Sequence, residues 1–152
     1  IDNGTFAYNE LLSVTIPNKV TYIGNQAFRN NKLTKVTIPE SVIKIGDYAF
    51  ANNELTSLNG IENLTNLHTL YCNNNQITCL DNLSNTFKEL ACRNNKIKCL
   101  DNLPITLRTL HLDGKFNDII YSYPPNIKEI RFDFDNDDFY NEENKYDIYM
   151  AI

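Results

Sequence analysis

The chain has 152 residues and a formal net charge of −5, and 42% of its residues are hydrophobic. This length and composition predict one folded domain and argue against a disordered chain. The negative charge argues against a nucleic acid or an anionic membrane as partner, and no apolar run is long enough to insert into a membrane.

Three kinds of position recur along the chain and divide it into repeats, each called a coil below. Aliphatic or aromatic residues recur at intervals of 22, 22, 22, 20, 20 and 20, a second apolar series follows five residues later, and asparagine follows three residues after that. The three series are Ile1, Ile23, Ile45, Leu67, Phe87, Leu107 and Ile127; Phe6, Phe28, Phe50, Cys72, Cys92, Leu112 and Phe132; and Asn9, Asn31, Asn53, Asn75 and Asn95. This period predicts a solenoid of about seven coils, each contacting its neighbours.

Residues 1–58 carry a longer motif of 22 residues. One copy contains Leu33, Val36, Ile38-Pro39, Val42, Ile45-Gly46 and Ala49-Phe50. This copy resembles the BspA-like leucine-rich repeat, LxxVxIPxxVxxIGxxAF, although Asn31 and Asn53 stand where that family usually has a cysteine. The resemblance implies a leucine-rich-repeat solenoid.

From Leu64 onward the repeats are shorter. Residues 67–83 and 87–103 resemble the LxCxxNxIxxLDNLP repeats of giant viruses of amoebae and some AT-rich bacteria. Residues 116–130 resemble the FNIP-type repeats of social amoebae and the same viruses, with Ile120 in place of the usual proline. These resemblances imply a giant virus, a protist or an AT-rich bacterium as the source. We therefore divide the chain into one array, 1–132 (BspA-like 1–58, short repeats 59–132), and an acidic C-terminal turn or capping segment, 133–152.

Inward and outward positions alternate in each coil, which predicts a strand there. In segment 67–72, Thr69 and Tyr71 point outward between apolar residues. Stacked coils place such strands in a parallel sheet, about 4.8 Å apart. Segment 33–38 is rich in β-branched residues and predicts a second strand in the early coils. We expect a β-rich solenoid with little or no α-helix and weak curvature.

The asparagine series predicts a structural ladder. After each strand the backbone turns inward and leaves amide and carbonyl groups in the core. A buried side-chain amide can bond these groups within its own coil and in the next one. The ladder residues are Asn9, Asn31, Asn53, Asn75 and Asn95.

The four cysteines, Cys72, Cys79, Cys92 and Cys99, occupy matching places in two consecutive coils. We expect free thiols, with Cys72 and Cys92 buried, which favours a reducing intracellular compartment or a virion, with the cell surface as an alternative. A disulfide between coils or a four-cysteine metal site are the alternatives, but the CxxC spacing of zinc sites is absent.

No catalytic motif is present, so we predict no enzyme, no cofactor and no metal site. His68 and His111 lie in non-adjacent coils. The run that starts at Asp133 imitates an EF-hand loop, but Asp138 and Asn144 stand where that loop needs glycine and glutamate.

We predict a non-enzymatic protein-binding or scaffolding module. Arginine and aromatic residues dominate interfaces, so the outward residues Tyr71, Arg93, Arg108, His111 and Arg131 form the expected contact patch. That they are ordinary solvated residues is the alternative. A second function hypothesis is a structural or surface component, virion or adhesin-like, that self-associates through its solenoid ends. Because residue 1 falls inside a repeat, we also expect the chain to be part of a longer array.

Overall fold

The computed structural model describes residues 1–58, 60–81, 83–98, 100, 102–113 and 127–133. Within these ranges the chain is a parallel β-solenoid of about five turns without a helix. The predicted fold class is confirmed. Apart from Asp133, the predicted capping segment lies outside the described residues.

Eight short strands follow one another along the described chain. All pairing is parallel, because every coil runs in the same direction, and it gives the sheets β1–β3, β2–β4 and β5–β6–β7–β8. The strands are β1 (Ser13–Thr15), β2 (Tyr22–Ile23), β3 (Lys35–Thr37), β4 (Lys44–Ile45), β5 (Thr69–Tyr71), β6 (Glu89–Ala91), β7 (Thr109–Asp113) and β8 (Glu129–Asp133).

The two 22-residue units that begin at Leu11 and Leu33 contain two strands each, as predicted for the early coils. In β3 and just after it, Val36 and Ile38 are buried two residues apart, whereas Lys35 and Thr37 are exposed. This spacing of two is the period of a strand.

The 20-residue coils bury their corresponding residues three apart. Ile77, Leu80 and Leu83 are all buried, and the described residues between them form no strand. A spacing of three does not fit the two-residue period of a strand. The later coils therefore close through turns and irregular backbone.

The core is built from stacked columns. The rings of Phe6, Phe28 and Phe50 stack with centroids 5.2 and 5.4 Å apart. Two buried cysteines, Cys72 and Cys92, continue this column in the next coils.

Buried asparagines connect neighbouring coils. The amide nitrogen of Asn53 donates to three carbonyls, including that of Phe28 in the previous coil (2.9 Å), and its oxygen accepts from the Leu33 amide (3.1 Å). Three more asparagines repeat this pattern: Asn31, Asn75 and Asn95. Asn9 is exposed, and its bonds to described residues are to carbonyls of its own coil, those of Phe6 and Ala7.

The backbone ladder is interrupted between β4 and β5. In the preceding pair of coils, the Phe28 amide donates to the Ala49 carbonyl at 2.8 Å. The equivalent amide of Phe50 has no hydrogen-bond partner among the described residues. The two coils reconnect at Asn52, whose amide donates to the Asn73 carbonyl at 3.2 Å. The array is therefore open on one side, where the repeat length changes.

Candidate binding surface

A polar network crosses the outward face of the four-stranded sheet. The Tyr71 hydroxyl donates to Glu89 Oε1 at 3.0 Å, and His111 Nε2 lies 3.4 Å from the same oxygen. In the register of the sheet, Ala91 lies between Tyr71 and His111. The small alanine leaves room for Glu89 to reach both side chains.

The contact with Arg93 favours one tautomer of neutral His111. Arg93 Nη2 lies 3.2 Å from His111 Nδ1, and a guanidinium can only donate, so Nδ1 accepts. The imidazole proton is then on Nε2, which faces Glu89. The histidine is 8% exposed, so it shapes the surface mainly by holding Arg93 and Glu89.

Aromatic stacking extends this network into the early coils. The Tyr48 ring stacks on Tyr71 with centroids 5.6 Å apart, and the Arg29 guanidinium lies 6.0 Å from the Tyr48 centroid. Tyr48 has φ of 56° and is 44% exposed, because the turn after β4 directs Ala49 into the core and Tyr48 outward. The binding strip is defined as Arg29, Tyr48, Tyr71, Glu89, His111 and Arg93.

The environment of Tyr71 keeps its hydroxyl protonated. Burial, followed by the hydrogen bond to Glu89 and the negative charge of that carboxylate, raises the pKa of Tyr71 to about 12. A tyrosine hydroxyl is already protonated at neutral pH, and the raised pKa keeps it a donor to Glu89 at alkaline pH as well.

A groove of about 380 Å³ lies beside the strip, at the interruption between β4 and β5. One wall includes Ile43 and Asp47, and the other includes Thr69 and Tyr71. Ile43 is 55% exposed at this groove. Tyr71 thus belongs to both the strip and the groove, which form one continuous surface.

The structure brings together part of the predicted contact patch. Tyr71, Arg93 and His111 lie in the strip, whereas Arg108 is exposed at the start of a strand outside it. The backbone of Arg131 pairs with His111, but its side chain is not among those described.

Sequence reasoning missed three members of the strip. Glu89 lies in an outward column and could have been found as the acidic neighbour of Tyr71 and His111. Tyr48 could not, because its outward direction depends on the positive φ of its backbone. Arg29 belongs to the strip only through its contact with Tyr48, so it was not predicted either.

The cysteines are not part of this surface. Cys72, Cys79 and Cys92 are free thiols, and Cys72 and Cys92 are buried. Burial raises the pKa of Cys72 to about 12 and that of Cys92 well above its ordinary value. Cys99 lies outside the described residues. No group of three or more metal-ligating side chains occurs in the part of the chain that the structure describes.

A sequence profile of the BspA-type leucine-rich repeat region matches residues 1–113 in six copies. The match extends beyond residue 58 into the shorter repeats, whose resemblance to giant-virus and FNIP-type repeats stays a prediction. No curated protein matches the chain. Over the described ranges, no helix has the length and apolar character needed to cross a membrane.

Proposed function

Because the chain belongs to the BspA-type leucine-rich repeat family, we propose that it is a non-enzymatic protein-binding module whose partner contacts the binding strip and the adjoining groove. Leucine-rich repeats generally mediate protein–protein interaction. The partner would contact both the 22-residue and the 20-residue repeats. Arg29 and Tyr48 precede the interruption between β4 and β5, and the other strip residues follow it.

The connected strip is the observation that supports this proposal. Tyrosine and arginine are enriched among the residues that dominate binding energy. Here two of each are held by ring stacking, a cation–π contact and hydrogen bonds before any partner arrives. Such preorganisation lowers the entropy lost on binding.

The groove supplies the second element of a binding site. Ile43 and Tyr71 present apolar surface next to the charged groups of Lys44 and Asp47. Interfaces commonly place a partner's apolar or aromatic side chain in such a depression, with polar groups around it. We propose that the groove receives an apolar anchor from the partner.

Photo-crosslinking tests this proposal. A photoreactive residue at Thr69, which lines the groove, should capture the partner from an extract of the native source, and one at exposed Thr56 should not. The captured protein is then purified. Its affinity should fall about tenfold or more for Tyr71→Ala, about 1.4 kcal/mol, and stay unchanged for Thr56→Ala. Equal capture at both positions, or equal affinity of the two variants, would refute the proposal.

Assembly through the solenoid ends, as a structural or surface component, is the second candidate. Phe6 stacks on Phe28 but remains 40% exposed, which favours burial against another coil. Sedimentation at increasing concentration should then show association that Phe6→Ser weakens. A monomer at all concentrations would exclude self-association.

A further inference from the structure

A row of basic side chains runs along one edge of the four-stranded sheet, at the residue before each of β6, β7 and β8. Lys88, Arg108 and Lys128 occupy the same position in three consecutive coils, and all are exposed. The Arg108 amide donates to the Lys88 carbonyl (2.8 Å) and the Lys128 amide to that of Arg108 (2.9 Å), so the three residues are in register. They are called the basic row. Their spacing is that of neighbouring strands, about 4.8 Å.

The row extends only through the later coils, for a steric reason. The equivalent positions in the early coils are Asp2, which is exposed, and then Gly24 and Gly46. A Cβ at Gly24 would lie 2.5 Å from the Asn3 amide nitrogen, and one at Gly46 would lie 2.5 Å from that of Asn25. The two glycines therefore interrupt this column of side chains, which resumes at exposed His68.

The nearby Glu89 is engaged with the strip. It accepts from Tyr71 and faces His111, in a direction set by Ala91. Lys88 and Lys128 form no ion pair with any described residue. The row therefore presents cationic groups on a chain whose net charge is −5.

We infer that the basic row binds an acidic, extended segment of the protein partner, an inference that rests on the proposed function. The row is one side chain wide and is flanked by carboxylates such as Glu89. A single file of Asp or Glu side chains can align with it, whereas the broad charge of a nucleic acid or an anionic membrane would also meet the flanking carboxylates and the net negative chain.

The direct test uses a fluorescein-labelled octaglutamate peptide, with binding followed by fluorescence anisotropy. The row variant carries Lys88→Glu, Arg108→Glu and Lys128→Glu. The control carries Lys19→Glu, Lys35→Glu and Lys98→Glu, which are exposed residues outside the row and change the net charge equally. We expect binding at least about tenfold weaker for the row variant than for the control. Raising ionic strength from about 0.01 M to about 0.15 M should weaken wild-type binding, because the Debye length falls from about 30 to about 8 Å.

Several results would overturn the inference: no binding of the peptide to the wild type, an equal loss in both triple variants, or tighter row-dependent binding of single-stranded RNA or phosphatidylserine vesicles. Circular dichroism checks folding, and a row variant with glutamine at all three positions should give an intermediate loss. The octaglutamate experiment does not involve the natural partner, so failure of the row differs from failure of the proposed function, which Tyr71→Ala tests on the natural partner.

Discussion

Residues 1–58 and the described residues from 61 onward share inward columns but close their coils differently. The first region repeats every 22 residues and forms two narrow sheets, β1–β3 and β2–β4. The second repeats every 20 residues and forms one four-stranded sheet. The second strand is lost where the inward spacing changes from two to three, and this change already occurs in the 22-residue coil that contains Leu55, Leu58 and Ile61.

The two regions also place their bulky core residues differently. Phe28 and Phe50 fill the column that Cys72 and Cys92 continue. In the coil of Cys92, an aromatic ring lies instead in the column that begins with Ile1, at buried Phe87. In this coil the large ring of Phe87 accompanies the small side chain of Cys92, as close packing requires.

The largest effect should come from the phenylalanine column. Phe28→Ala removes a ring stacked on both sides and should lower the free energy of unfolding by about 3–5 kcal/mol. Cys92→Ala removes one sulfur from the same column and should lower it by only about 1 kcal/mol. Urea denaturation of both variants measures the difference. Equal losses of unfolding free energy would show that both regions depend on this column to the same extent.

The asparagine ladder should matter in both regions. Asn75 crosses the junction, because its amide donates to the Phe50 carbonyl at 3.0 Å and its oxygen accepts from the Leu55 amide. Asn75→Ala leaves buried groups without partners, and we expect a loss of about 3 kcal/mol. The control is Asn74→Gly, since exposed Asn74 has φ of 56°, which glycine tolerates; it should cost under about 1 kcal/mol. Similar melting temperatures for the two variants would refute the ladder.

Alkaline pH should destabilise the second region selectively. The pKa of Cys72 is about 12 in the folded protein, against an ordinary value of 9.0 for a cysteine thiol. The fold therefore favours the protonated thiol: this stabilisation is complete below pH 9 and is lost as pH rises toward 12. The loss can reach about 1.4 kcal/mol per pH unit, and Cys72→Ala should reduce it. Residues 1–58 contain no cysteine. An unchanged pH profile for Cys72→Ala would contradict the assigned burial.

Thiol reactivity gives the smallest and most local contrast. Half-buried Cys79 should react with a thiol reagent in the native state faster than buried Cys72 and Cys92, because the reactive thiolate is disfavoured by burial. Peptide mapping after timed labelling measures the rates, and unfolding in urea should equalise them. A Cys72–Cys92 disulfide in non-reduced protein from the native source would instead indicate an oxidising compartment.

The columns were predictable from the sequence because inward positions repeat chemically. Ile23, Phe28 and their equivalents recur at a fixed period, and so do the ladder asparagines. The position of Tyr48 was not predictable, because its outward direction depends on a positive φ that tyrosine rarely adopts.

The interruption of the backbone ladder after β4 could not be predicted from the sequence either. Ile45 and Leu67 continue the apolar column without any sign of a gap. Strand pairing depends on the backbone path of the whole coil between them, and no single residue in the motif encodes that path.

Amide hydrogen exchange at Phe50 tests most directly the claim that the array opens at the junction and binds its partner there. Phe28 and Phe50 occupy the same column and are both buried, but only the Phe28 amide bonds to the next coil, at 2.8 Å. NMR-detected exchange should be at least about tenfold faster at Phe50 than at Phe28, and it should slow when the crosslinked partner is bound. Equal protection of the two amides in the free protein, or no change at Phe50 on binding, would contradict the account.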